Sequence, residues 1–147
     1  MSLSSQIFVA THSDALRFAD ALDTGSMPPE LPERVDAGEL TDFEFEALGA
    51  IAAKAVHAAG IDTDLAMVDV AREALYVVPD PLAEVLAELT ELEDPEGLED
   101  VAREWAGSEE MEDLDIDAQP LVERIAELAA AAGADRALDL YLWSSGA

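Results

Sequence analysis

Gln6-Ile7-Phe8-Val9-Ala10 is a short apolar run rich in strand-forming residues, and it reads as a first β-strand. Ala137-Leu138-Asp139-Leu140-Tyr141-Leu142-Trp143, at the other end of the chain, reads as a last one. What lies between them is mostly helical in pattern. Helices framed by two terminal strands predict an α+β, mainly helical single domain over residues 1–147, with a small sheet pairing the N- and C-terminal strands side by side. A sheet that small must pack on helices to be stable. The opening Met1-Ser2-Leu3 carries no weight in this reading.

Working inward from the first strand, Ser13 is the expected N-cap and Asp14 a first-turn acid of a helix ending before Gly25. Ala15, Leu16, Phe18, Ala19 and Leu22 form its apolar stripe. Residues 24–40 hold three prolines and two glycines and are expected to be loop. Thr41-Asp42-Phe43-Glu44 has capping-box spacing, so threonine and glutamate can satisfy backbone donors reciprocally. It opens a helix expected to run to Gly60, with Phe45, Leu48, Ile51, Ala52, Ala55 and Ala59 on one face.

A further helix is expected over 62–75. Leu75-Tyr76-Val77-Val78 fits either its end or a short strand, because so short a run has no decisive period. Pro79 ends what precedes it. Asp80-Pro81 and Asp94-Pro95 each read as an N-cap followed by proline at the first helical position. The first helix carries Leu82, Val85, Leu86 and Leu89, the second Leu98, Val101, Ala102 and Trp105. An acidic loop and a helix from about Pro120 to Ala132, closed by Gly133, complete the pattern.

Half of the 147 residues are hydrophobic, enough to bury a continuous core. Aspartate and glutamate outnumber lysine and arginine 34 to 7, for a formal net charge of −27. Such a field repels nucleic acid and anionic membranes, so neither is an expected partner. There is no cysteine, which excludes disulfides, thiolate nucleophiles and thiolate metal sites. No apolar run is long enough to span a bilayer and no basic n-region opens the chain, so a cytoplasmic protein is expected. Lys54 is the sole lysine. High-salt adaptation or plain surface solvation would also account for the acidity.

The acids concentrate in residues 84–117, where fifteen carboxylates face one arginine, Arg103. Two readings compete there. Glu84, Glu88 and Glu91 follow helical spacing opposite the leucines, as a solvated face would. Alternatively the region steers a basic partner by complementary charge. The candidate partner-binding residues are Glu93, Asp94, Glu96, Glu109, Glu110, Glu112, Asp113, Asp115 and Asp117, with Trp143 as an aromatic anchor should its strand face be exposed.

Chemistry-bearing motifs are absent: the chain has no GxGxxG, P-loop, HExxH or GxSxG. Asp113-Leu114-Asp115-Ile116-Asp117 resembles the start of a calcium loop. Ala118 and Arg124, however, stand where an EF-hand needs glycine and a bidentate glutamate. A looser, weak, oxygen-only divalent site serving a carboxylate-based hydrolase is a further alternative. His12, Ser13 and Asp14 are adjacent and do not converge as a triad must. His57 is expected in the last turn of its helix, where the dipole favours positive charge. The expectation is therefore a protein without cofactor, metal or catalytic residues.

From Ala74-Leu75-Tyr76-Val77-Val78-Pro79 through the helix Leu82 to Leu92, a second short helix, the acidic loop, the last helix and Leu138 to Leu142, the chain resembles the YfbM-like family of uncharacterised bacterial proteins. The resemblance covers residues 74–143 and implies an α+β fold with no established activity and no site residues. Family members typically carry a tryptophan and a leucine-histidine pair before the Tyr-x-x-Pro-like turn. Here Phe43 to Ala59 has no tryptophan, and His57 follows Val56.

Overall fold

The computed structural model describes residues 5–25, 33–38, 40–56, 64–68, 75–91, 95–111 and 117–144. Among the described residues there are five strands: β1 (Ser5–Ala10), β2 (Arg34–Gly38), β3 (Ala66–Met67), β4 (Leu75–Val77) and β5 (Asp139–Trp143). They form one antiparallel sheet in the order β2-β1-β5-β4-β3. The helices are α1 (His12–Thr24), α2 (Asp42–Ala55), α3 (Asp80–Glu88), α4 (Pro95–Ala106) and α5 (Ala118–Gly133). The expected α+β, mainly helical domain is the observed one, and its terminal strands are adjacent.

Period-two alternation in β1 and β5 decides which layer covers which face. Ile7 pairs with Leu142 and Val9 with Leu140, and these four face the helical layer α2 to α5. Phe8, opposite Tyr141, together with Ala10 and Trp143 faces α1, where Ala15, Phe18, Ala19 and Leu75 complete a second core. Phe8 and Phe18 have ring centroids 4.6 Å apart at 47°, and Phe8 stacks on Tyr141 at 5.6 Å. Both faces of the central strands are thus covered. This excludes an exposed face for Trp143, which is 2% exposed and donates its Nε1–H to Asp23 Oδ1 at 3.0 Å.

Several expectations shift. Thr11, not Ser13, caps α1: its hydroxyl accepts from the Asp14 N–H, and Ser13 lies inside the helix. Gly25 closes α1 in the left-handed region, φ 73°. Part of the expected loop 24–40 is β2, an edge strand whose polar Arg34 and Asp36 conceal it because one side of an edge strand has no neighbour to reward hydrophobicity. In place of a helix over 62–75, residues 66–67 pair with Val77 and Tyr76. Pairing across the sheet there overrides helix propensity. Residues 62–63 and 69–74 of that expectation lie outside the described residues, as does Gly60, the expected end of α2, which instead ends at Ala55.

Leu75–Val77 is strand, held by β5. In α3, Pro79 occupies the N-cap position and Asp80 the first turn, one residue from the expected register. The capping box at Thr41 is present: the Thr41 N–H donates to Glu44 Oε2 at 3.3 Å, and its hydroxyl also donates to that carboxylate. Helix α5 begins at Ala118, so Pro120 falls in its first turn, where backbone N–H groups have no intrahelical acceptor. Val122, Ile125, Ala126 and Leu128 of α5 are buried, and the helix lies against β1, β5 and β2 as well as α3 and α4. It is the central element of the larger core.

Candidate functional site

The predicted partner-binding acids do not all fall within the described residues. Glu93, Asp94, Glu112, Asp113 and Asp115 lie outside them. Glu96 is exposed in the first turn of α4, and Glu109 is exposed in the short 3-10 turn Glu109–Met111, which also contains Glu110. Asp117 is exposed at the N-cap position of α5, with no hydrogen bond from its side chain to the cap. Trp143 drops out of this surface. With 2% of its area exposed and its indole N–H engaged by Asp23, it seals the α1 side of the sheet and offers no side-chain surface to anchor a partner.

The amphipathic sequences of α3, α4 and α5 aim further acids outward. On α3, Leu82, Val85 and Leu86 are buried while Asp80, Glu84 and Glu88 are exposed, followed by Glu91 in the 3-10 turn Leu89–Glu91. On α4, Val101, Ala102 and Trp105 face inward, and Glu96, Glu99, Asp100 and Glu104 face solvent. Helix α5 adds exposed Glu123 and Glu127.

The basic side chains of this layer are already paired. Lys54 Nζ lies 3.8 Å from Glu104, Arg103 lies 3.1 Å from Asp100, and Arg124 bridges Glu127 at 3.1 Å and Glu33 at 3.8 Å. Such exposed pairs add little stability. They engage Lys54, Arg103 and Arg124, so the carboxylates left over on these helices carry a net negative field.

A cleft of about 510 Å³ opens between α3, the C-terminal end of α5 and the start of β5. Val78, Ala83, Ala87, Ala129, Ala132, Leu138 and Leu140 give it an apolar lining; Asp80, Glu84, Asp135, Asp139 and Arg136 are its charged residues. A second hollow of about 420 Å³ continues it along the α3–α5 seam, sharing Glu84, Ala87 and Gly133 and adding Glu88, Thr90, Glu91, Ala130 and Ala134. This groove was missed at the level of sequence. Its one signal was the helical spacing of Glu84, Glu88 and Glu91, which a solvated face explains equally well.

Among the described residues no histidine lines either hollow. His12 is exposed at the start of α1, and His57 lies outside the described residues. Among the described residues no group of three or more histidine, aspartate or glutamate side chains is placed to hold a metal ion. Arg124, at the twelfth position of the calcium-loop-like stretch, is committed to Glu33 and Glu127. Burial, with Asp139 nearby, pushes the Tyr141 hydroxyl up to about 12, so it stays protonated and structural at neutral pH. No helix among the described residues is long and apolar enough to cross a membrane. Comparison with protein-family models, with curated proteins and with solved structures finds no match for this chain.

Proposed function

We propose that this protein is a non-enzymatic interaction module whose acidic helical layer binds a basic partner protein, in the manner of an inhibitor or immunity protein that covers a basic active site. One observation carries the reading. Lys54, Arg103 and Arg124 are each engaged by carboxylates of the same surface, while Glu84, Glu88, Glu91, Glu99, Glu109 and Asp117 are exposed with no described cation beside them. A field of this kind steers a cationic protein into encounter and fixes its orientation. A cytoplasmic setting fits a chain without cysteine. The likeness of residues 74–143 to the YfbM-like family belongs to the proposal as to fold alone.

The test is capture from lysate of the source cell at low salt, elution by a salt gradient, and rebinding of the eluted protein in purified form. A single basic protein, released at moderate salt and weakened by the triple substitution Glu96→Lys, Glu109→Lys, Asp117→Lys, supports the reading. Nothing retained, or binding indifferent to the triple substitution, overturns it and leaves acidity as solvation or salt adaptation.

A further inference from the structure

The groove between α3 and α5 combines an apolar floor with a one-sided acidic wall, and the two features recur along its length. We propose that it is the docking site for a basic amphipathic helix of the partner protein. This inference rests on the proposed function and specifies where and how the partner sits. Asp80, Glu84, Glu88 and Glu91 stand three or four residues apart on the exposed side of α3 and its 3-10 extension. Their stations are therefore about 5–6 Å apart, and the row is about 16 Å long. A partner helix laid along the seam repeats lysine or arginine at i, i+4, i+8 and i+11 with the same rise, so each cation meets one carboxylate.

The floor suits that occupant. Ala83 and Ala87 of α3 and Ala129, Ala130 and Gly133 of α5 carry at most one methyl group each, which lets a third helix approach closely with its own apolar stripe downward. At the end of the groove near β5, Leu138 and Leu140 widen the apolar contact, and Asp135 and Asp139 extend the acidic rim. Among the described residues Arg136 is the one basic side chain on the rim, and it makes no ion pair with a described residue. It sets the polarity of the bound helix, since it repels a cation and accepts an acid at that end.

The probe is a labelled synthetic peptide of about 16 residues, four turns or more, with lysine at the spacing above and leucine on the adjoining face. Binding to the full chain is read by fluorescence anisotropy and the peptide's helicity by circular dichroism. The expected result is binding with a gain of helicity. It should weaken at least about tenfold in Glu84→Lys/Glu88→Lys, a loss of about 1.4 kcal/mol or more, and similarly in Ala87→Met, which fills the floor without changing charge. The charge-matched control Asp20→Lys/Asp36→Lys, exposed on α1 and β2 and outside the acidic helical layer, should lie within about twofold of the parent, since distant surface charges are screened. Equal loss in both double variants would overturn the groove while leaving an acidic binding module in place. Binding without helicity would replace the helix by an extended segment and overturn the proposal. So would competition by a linear tetraamine as effective as the peptide. No binding of the peptide to a chain that still captures its purified partner would overturn the groove and spare the module; loss of both would overturn the two together.

Discussion

The indole Nε1 of Trp105 donates a 2.8 Å hydrogen bond to the main-chain carbonyl of Glu44, joining the last turn of α4 to the first turn of α2 across a fully buried interface. The same Glu44 closes the Thr41 capping box through its side chain, so one residue terminates α2 and anchors α4. The orientation of the acidic face of α4 depends on that link.

Trp105→Phe removes the donor and leaves a gap in the core. We expect a loss of about 2 kcal/mol, from the hydrogen bond and from unfilled volume together. Urea unfolding should show a lower midpoint with an unchanged slope, since the area exposed on unfolding is nearly the same.

Thr41→Ala deletes the hydroxyl half of the capping box and should destabilise by about 1 kcal/mol. Thr41→Ser retains it and should fall within a few tenths of a kcal/mol of the parent by the same measurement.

Gly25→Ala isolates backbone strain. The glycine has φ 73°, and an added Cβ meets nothing within 4 Å. The expected cost of about 1 kcal/mol therefore comes from the left-handed conformation alone. A neutral result would show that α1 can end in another way.

Tyr141 makes the fold alkali-sensitive. Its hydroxyl is raised from 10.0 to about 12, chiefly by burial and then by Asp139. The folded state thus binds the proton more tightly than the unfolded chain. Stability from this source is complete below pH 10 and is lost as pH rises from 10 to about 12, by up to roughly 3 kcal/mol. In a Tyr76→Phe background, phenolate absorbance should develop near pH 12 in the folded protein and near 10 in urea.

The sequence was most legible where periodicity met a turn signal. β1 and β5 announce themselves by apolar runs at the two ends, and Thr41 and Glu44 by their spacing. β2 was hidden because an edge strand of Arg34, Asp36 and Gly38 is under little pressure to alternate cleanly, and β3 because two residues have no period. The groove was illegible for a different reason. Ala83 and Ala87 are more than forty residues from Ala129 and Ala130, each set reads as ordinary helix-forming alanine, and only the packing of α3 on α5 brings them together. Trp143 erred in the opposite direction: an alternating terminal strand allowed one bare face, and α1 covers it.

The charge excess itself makes a prediction. With 34 acids against 7 basic residues, screening should raise stability by roughly 1 kcal/mol, about 4 °C in Tm, between low and moderate salt, with the chain folded throughout. Unfolding at low ionic strength, followed by circular dichroism, would instead mark the acidity as an adaptation to salt.

The most direct test of the central claim is the rate at which the purified basic partner associates with this chain as sodium chloride is raised from about 0.02 to 0.5 M, where the screening length falls from roughly 20 to 4 Å. Electrostatic steering by an uncancelled acidic surface predicts a fall of at least about tenfold in the association rate, with a much smaller change in dissociation. An association rate indifferent to salt would contradict the account.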